Sequence, residues 1–352
     1  MARGLEIVHA DFSSAWRGGQ QQLLFLVREL RRLGCRQTIV APSGAVSRRL
    51  AEEGFTLVLP GREARRRAAA AGVVHVHDGH AHTWLLRATS RRGARRVLSR
   101  RVAYPIRGVL SRWKYRQLDL VIAVSRYVQA QVLATGMAAG RIRVIHDCLE
   151  LDGLPEAAQT AEARARARRQ CRLQDEALYA VCLGAFTAEK GVSDAIAALA
   201  QLPPPWRLIL PGSGPLRAAL EQQCARLGCA ARVRFTGGEA AAAQDWVAAA
   251  DVLLMPSREE GFGSAGLLAM ALGCPVVASR VGGIPELVEH EASGLLIPAA
   301  DPPALAAACR RLAAEPQLRE KLVRAGLERV QHYRSRETAA ATLAAYEAAC
   351  AS

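Results

Sequence analysis

No apolar run in this chain's 352 residues approaches the about 20 that a membrane-spanning helix needs, so any membrane contact is expected to be peripheral. The opening MARGLEIVHA passes straight into strand-like sequence without the apolar stretch and cleavage site of a secretory signal. The nine cysteines form no Cys-x-x-Cys pair and are scattered, several within apolar runs, as expected of buried free thiols in a reducing compartment. No Asp-x-Asp pair occurs, so no divalent-cation requirement, and no cofactor, is expected. From these absences the chain is expected to be cytoplasmic, reaching the inner face of the membrane peripherally at most.

Acidic residues are scarce in one half only. Residues 1–150 hold 26 Lys and Arg against 10 Asp and Glu, a balance of +16, whereas the rest hold 21 against 22, a balance of −1. That asymmetry fits either a solvated arginine-rich surface or a face that meets an anionic partner.

The length suggests two domains, and both halves alternate strand-like and helical segments, the pattern of doubly wound parallel sheets in an α/β protein. Strand-like runs begin at Leu5, Gln37, Phe55, Val73, Arg96, Leu120 and Ile142, and a helix from near Gly19 turns Leu23, Leu26, Val27, Leu30 and Leu33 to one face. The alternation stops between Cys148 and Asp175, then resumes from Ala177. Domains are therefore expected at 1–165 and 166–335, with a last helix in 336–352. In open parallel sheets ligands bind at the carboxyl ends of the strands.

The most informative stretch is PSREEGFGSAGLLAMALGCPVVASRVGGIPE, from Pro256 to Glu286. An apolar strand breaks at Pro256, Glu259 and Glu260 follow, and Gly261, Phe262 and Gly263 lead to a helix near Ser264. Backbone amides, a helix N-terminus and a carboxylate suit a phosphate bearing a polyhydroxylated group. The stretch resembles the loop of the family-4 glycosyltransferases, retaining enzymes of the GT-B fold, that grips the diphosphate and sugar of a nucleotide sugar. The Gly282-Gly283-Ile284-Pro285-Glu286 loop matches that family as well, and WRGGQQQ resembles a subgroup associated with lipopolysaccharide-type sugar transfer.

The resemblance implies two Rossmann-like domains facing across a cleft, an N-terminal acceptor domain and a C-terminal donor domain, with the last helix crossing back to the first. It also implies roles for other motifs. Gly18 and Gly19 would present amides to the diphosphate, and Lys190, before the helix after CLGAFTAEKG, would meet the charge of the leaving group. Gly212 and Gly214 would lie beside the nucleotide. In VHVHDGHAHT the resemblance favours His77 near the sugar and acceptor hydroxyl, with His80 and His82 as rivals. Glu260 would hold sugar hydroxyls while the acceptor enters on the face the diphosphate leaves.

Two positions depart from the family pattern. Ala185 stands where an arginine is common, and Leu268 where a second glutamate, eight positions after Glu260, commonly holds the ribose. Beyond the histidines, a basic strip from Arg87 to Arg116 is interleaved with Tyr104, Trp113 and Tyr115; Arg107, Arg112, Trp113, Lys114 and Arg116 are the residues expected to meet an anionic glycolipid acceptor and the membrane surface. The expected reaction is retaining, metal-independent transfer of a hexose or heptose to a bacterial glycolipid or lipopolysaccharide core. The alternatives are a catalytically impaired binding or scaffold protein, for which Ala185 and Leu268 speak, and a nucleic-acid binder, for which only the charge speaks, since no reading motif is present.

Overall fold

The computed structural model describes residues 4–90, 93–152, 154, 161–237 and 243–351. Arg91 and Arg92 of the basic strip and residues 155–160 of the expected linker lie outside them. The chain forms two compact units, one of Met1–Leu149 with Tyr333–Ser352 and one of Glu150–His332.

The first unit runs β1 (Glu6–Ala10), α1 (Gly18–Arg32), β2 (Arg36–Val40), α2 (Ala45–Glu52), β3 (Thr56–Val58), α3 (Arg62–Ala70), β4 (Val73–Val76), α4 (Gly79–Ala88), β5 (Arg95–Arg100), α5 (Val109–Arg116), β6 (Leu120–Ala123), α6 (Arg126–Leu133) and β7 (Ile142–Val144). Its strands form one parallel sheet in the order β3-β2-β1-β4-β5-β6-β7. Short apolar strands buried on both faces form because helices cover each side. On α1, Leu23, Leu26, Val27 and Leu30 are buried as their spacing requires, but Leu33 is 41% exposed, because it is the C-cap and the helical face ends before it.

The second unit contains α7 (Ala161–Gln170), β8 (Leu178–Val181), α8 (Val192–Ala200), β9 (Trp206–Leu210), α9 (Arg217–Arg226), β10 (Val233–Phe235), α10 (Ala243–Ala249), β11 (Val252–Met255), α11 (Ser264–Ala271), β12 (Val276–Ser279), α12 (Ile284–Leu287), β13 (Leu295–Ile297), α13 (Pro302–Ala314) and α14 (Pro316–Val330). Its parallel sheet has the order β10-β9-β8-β11-β12-β13. The units part between Leu149 and Glu150, whereas 165/166 falls inside α7. That helix is held in the second unit by Arg168, which donates through Nη2 to Asp251 at 2.7 Å while Asp251 also accepts from the Tyr179 amide. On α9, Leu220 and Cys224 are buried, and Leu227 at the C-cap is 44% exposed.

The last helix, α15 (Ser335–Ala351), belongs to the first unit. Its small Ala339, Ala345 and Ala349 let it lie close to the core, and Tyr346 is fully buried among Ile7, Leu26, Val97 and Ile122. Ser335 anchors its start, donating its hydroxyl to Glu29 at 3.1 Å and its amide to the Leu149 carbonyl at 2.9 Å. Eight of the nine cysteines are buried and Cys350 is exposed; burial pushes the Cys182 and Cys274 thiols up to about 12, so neither ionises readily. Among the described residues no helix is long and apolar enough to cross a membrane.

Each sheet reverses its strand order once, between β1 and β4 in the first and between β8 and β11 in the second. At such a reversal the loops leaving the two strands diverge to opposite faces and open a crevice at their carboxyl ends. Gly18 and His77 follow β1 and β4, and Lys190 and Glu260 follow β8 and β11, whereas Gly212 and Gly214 follow β9 and Gly282 follows β12.

Candidate active site

In the second unit, β8 leads through Gly184 to a short 3-10 turn, Ala188–Lys190, and β11 leads through Pro256 to Glu260. The Lys190 Nζ lies 2.7 Å from the Glu260 Oε2, so the structure brings together the ammonium and carboxylate that the sequence singled out 70 positions apart. The second Glu260 oxygen accepts from the Gly261 amide at 3.1 Å, and the Ser257 hydroxyl lies 3.4 Å from the first. Both side chains retain some exposure, 30% for Lys190 and 14% for Glu260, and so remain reachable by a ligand.

The loops hold this pair through backbone contacts that only glycine permits. A Cβ on Gly191, which has φ +63°, would sit 1.9 Å from the Pro256 carbonyl oxygen; one on Gly282, φ +55°, would sit 1.9 Å from that of Glu260. The Glu260 carbonyl also accepts from the Gly283 amide at 3.0 Å, and the Glu189 carbonyl from the Arg258 amide at 2.7 Å. Arg258 reaches back to Asp194 at 3.2 Å, a further tie between the loops. The next helix, α11, has Gly263 as its N-cap and no side-chain cap; the Gly266 amide bonds the Gly263 carbonyl at 2.8 Å, which leaves the amides of Ser264 and Ala265 as donors at the positive end of the helix. Phe262, just before this turn, is buried. An ammonium, a carboxylate and uncapped amides in one place can take a phosphorylated, hydroxylated ligand.

Gly212 and Gly214 have a different reason. A Cβ on Gly212 would lie 2.1 Å from the Gly184 carbonyl oxygen, and one on Gly214 2.7 Å from the Phe186 amide nitrogen. Phe186 donates its amide to Ser213 and accepts at its carbonyl from Leu216, so these glycines let two loops interlock. Leu268 is half-buried on α11 and Ala185 half-buried in the β8 loop; neither offers a charged group.

In the first unit, Gly18 and Gly19 form the first turn of α1 rather than preceding it, with Arg17 as the N-cap and no side-chain cap bond. A Cβ added to Gly19 would meet nothing within 4 Å, so packing does not require glycine there. The loop before α1 is fixed by residues that motif reading passed over. Asp11 is fully buried and accepts from the Ser13 amide and the Gln20 carboxamide at 2.9 Å. Asp78 caps α4, accepting from the amides of His80 at 2.7 Å and Ala81 at 3.0 Å, and its other oxygen accepts from the Phe12 amide at 2.6 Å. An aspartate immediately before an apolar helical run is a recognisable N-cap signal.

The histidines divide sharply. His77 is buried, donates or accepts on both ring nitrogens, to His9 at 3.2 Å and Arg101 at 3.3 Å, and burial holds its pKa well below the usual value. His75 is bonded to Ser99 at 2.8 Å and to the Tyr346 hydroxyl. His82 is buried against Tyr115, bonded to the Lys114 carbonyl at 3.3 Å, and pushed down to about 4, chiefly by burial. His80 is exposed, and its ring makes no hydrogen bond among the described residues.

The basic strip is not one surface. Arg96 and Arg100 are buried; Arg96 bonds Thr89, and Arg100 donates to the Tyr115 hydroxyl at 2.7 Å and to the Tyr104 carbonyl. Lys114 is tied to the Thr83 hydroxyl at 2.9 Å. Arg107, Arg112, Trp113 and Arg116 are exposed, and beside them α5 presents Val109 at 82% and Leu110 at 65% exposure, which charge counting passed over.

Two family models match the chain. The model described as Glycosyltransferase Family 4 covers residues 16–152, and that described as Glycosyl transferases group 1 covers 177–315. A D-inositol 3-phosphate glycosyltransferase of Streptomyces avermitilis is 35% identical over 225 residues, 60% of this chain and 47% of its own length. The lipopolysaccharide core biosynthesis glycosyltransferase LpsD of Rhizobium meliloti is 32% identical over 201 residues, 57% of this chain and 58% of its own. The chain thus spans about half the length of the curated relatives it matches. Anabaena HepE, solved with UDP and glucose, has the same fold with a TM-score of 0.84 at 20% identity, over 97% of this chain and 99% of that one. The lipopolysaccharide outer core galactosyltransferase WaaB aligns with a TM-score of 0.69 at 15% identity, over 98% and 99%.

Proposed function

The chain belongs to the family-4 glycosyltransferases and has their GT-B fold, and from that premise we propose that it transfers a hexose or heptose from a nucleotide-diphosphate sugar to an anionic glycolipid, a lipopolysaccharide core among them, with retention and without a metal ion. The observation that carries this reading is the meeting of Lys190 and Glu260 beside the uncapped start of α11. Lys190 and the amides at Gly263 and Ser264 hold the diphosphate, and charge that builds there as the glycosidic bond breaks is stabilised by donors already in place. Glu260 accepts from sugar hydroxyls once Lys190 has turned to the phosphate. Gly18 and Gly19 form the first turn of α1, whose amides are of the kind that suits a phosphate. The acceptor oxygen forms its bond to the anomeric carbon on the face the diphosphate leaves, and its proton passes to a departing phosphate oxygen.

HepE was solved with UDP-glucose, and LpsD bears a lipopolysaccharide core name; both support the donor and acceptor classes chosen here. The exposed Val109, Leu110 and Trp113 with Arg107, Arg112 and Arg116 suit a surface of anionic lipid, the aromatic at the headgroups and the arginines on phosphates. Titration calorimetry with UDP-, GDP- and ADP-sugars tests the donor site, and radiolabelled transfer to glycolipid with EDTA present tests catalysis and metal independence. Ala185 and Leu268 favour a second reading, a binding protein that has lost transfer; nucleotide-sugar binding without turnover on any acceptor would select it.

A further inference from the structure

At the order reversal of the first sheet, three imidazoles share one face. His9 on β1 is in register with His75 on β4, and His77 lies two positions on, where alternation returns side chains to the same side. Ring centroids are 4.1 Å apart for His75 and His77 and 5.4 Å for His9 and His77. Three buried histidines with nitrogens within 4.8 Å of one another have the composition of a metal site. Arg101 argues against it. A metal on the Nε2 of His77 would leave a proton on Nδ1, where the Arg101 Nη1 stands at 3.3 Å, donor against donor, and Asp147 holds that guanidinium at 3.1 Å.

One direction of hydrogen bonding fits both nitrogens of His77. A guanidinium only donates, so the Nδ1 of His77 accepts from Arg101. The one proton of a neutral ring is then on Nε2 and is donated to the Nδ1 of His9 at 3.2 Å. The His9 proton must sit on its own Nε2. That atom and the Oε1 of Gln37 are both buried without a partner of good geometry, and Gln37 is the side chain that favours the protonated form of His9. Gln37 is oriented by donating its amide to the Val27 carbonyl at 2.9 Å.

We infer that His9 and Arg101 are positioning residues for His77, fixing it as a neutral Nε2–H imidazole with both nitrogens committed inside the unit, so that it serves the acceptor side as a rigid ring and not as a proton acceptor. The inference deepens the proposed transfer reaction and rests on it for the word acceptor, but the hydrogen-bond chain stands without it. The charged and titratable groups that face the ring are His9 from β1, His75 from β4 and Arg101 with Asp147 from the loops after β5 and β7, while Tyr346 of α15 faces it through His75. Proton transfer in the reaction is then left to the departing phosphate.

The test is nitrogen-15 NMR of the imidazoles in the free protein, with the His77 signals assigned by their loss in His77→Gln. From about pH 8 to about pH 6 the ring is expected to show a protonated Nε2 and an unprotonated Nδ1, without change on adding zinc. His9→Asn keeps an acceptor where the Nδ1 was and retains that pattern; His9→Leu removes it and gives averaged tautomers, with kcat lowered about tenfold and donor KM within about threefold. A protonated Nδ1, an imidazolium near pH 6, or rings that shift together with zinc overturns the inference; if the leucine variant does not fold, the wild-type spectrum decides alone. Absent transfer activity beside the expected spectrum refutes the proposed reaction and leaves the hydrogen-bond chain in place.

Discussion

Lys190 and Glu260 leave neighbouring strands at the order reversal of the second sheet, and their charged ends meet at 2.7 Å. In the proposed reaction this pair must open, with the ammonium going to the diphosphate and the carboxylate to the sugar. Lys190→Ala is therefore expected to lower kcat by about 100-fold or more, on the order of 3 kcal/mol of lost transition-state stabilisation. At this exposure the pair itself is worth no more than about 1 kcal/mol to folding, so the melting temperature should move by a few degrees at most. Steady-state kinetics and thermal melts on one preparation check both statements.

Two glycines separate binding from folding. Gly19 has open space where a Cβ would go, so Gly19→Ala should fold, with a helix more stable by up to about 1 kcal/mol, yet bind the nucleotide sugar about tenfold more weakly if a diphosphate approaches that turn. Gly282→Ala forces a Cβ onto the Glu260 carbonyl and should lose both binding and several degrees of stability. Calorimetry and melting curves for the two variants distinguish these outcomes.

Membrane affinity should depend on the exposed face of α5. Each arginine near an anionic surface contributes about 1 kcal/mol, so replacing Arg107, Arg112 and Arg116 with glutamine should weaken partition onto anionic vesicles by about 100-fold. Replacing Val109, Leu110 and Trp113 with serine should weaken binding to the same vesicles without changing its salt dependence. Co-sedimentation with neutral and anionic vesicles measures both, and equal recovery on the two would contradict the charge argument.

Acid should destabilise the first unit. Burial lowers His9 to about 3 and His82 to about 4 from 6.5, so the unfolded chain takes up protons that the folded chain refuses. Their contribution to stability is complete above pH 6.5 and is lost as the pH falls from there towards those lower values, by up to about 1.4 kcal/mol per pH unit for each histidine. Urea melts at stepped pH should show this slope, shallower in His82→Gln.

What could be read from the sequence was local. Strand and helix periods gave both sheets, and the run from Pro256 to Ser264 and the Lys190 turn pointed to the two loops that meet at Lys190 and Glu260, because glycine, proline and charge at short spacing carry their geometry with them. Pairing between strands was hidden. Nothing near His77 announces that His9, 68 positions earlier, faces it, and nothing near Gly214 announces the Phe186 backbone against it. Helical spacing also ran too far at the end of α1, where Leu33 lies beyond the packed turns. Counting arginines could not separate the buried Arg96 and Arg100, which serve the fold, from Arg107, Arg112 and Arg116 on the surface.

The most direct measurement is the position of the phosphorus atoms in crystals soaked with UDP. The account predicts a diphosphate within hydrogen-bond distance of the Ser264 amide and the Lys190 ammonium, with that ammonium drawn away from Glu260. A diphosphate bound elsewhere, with the Lys190–Glu260 pair still closed at 2.7 Å, would contradict it.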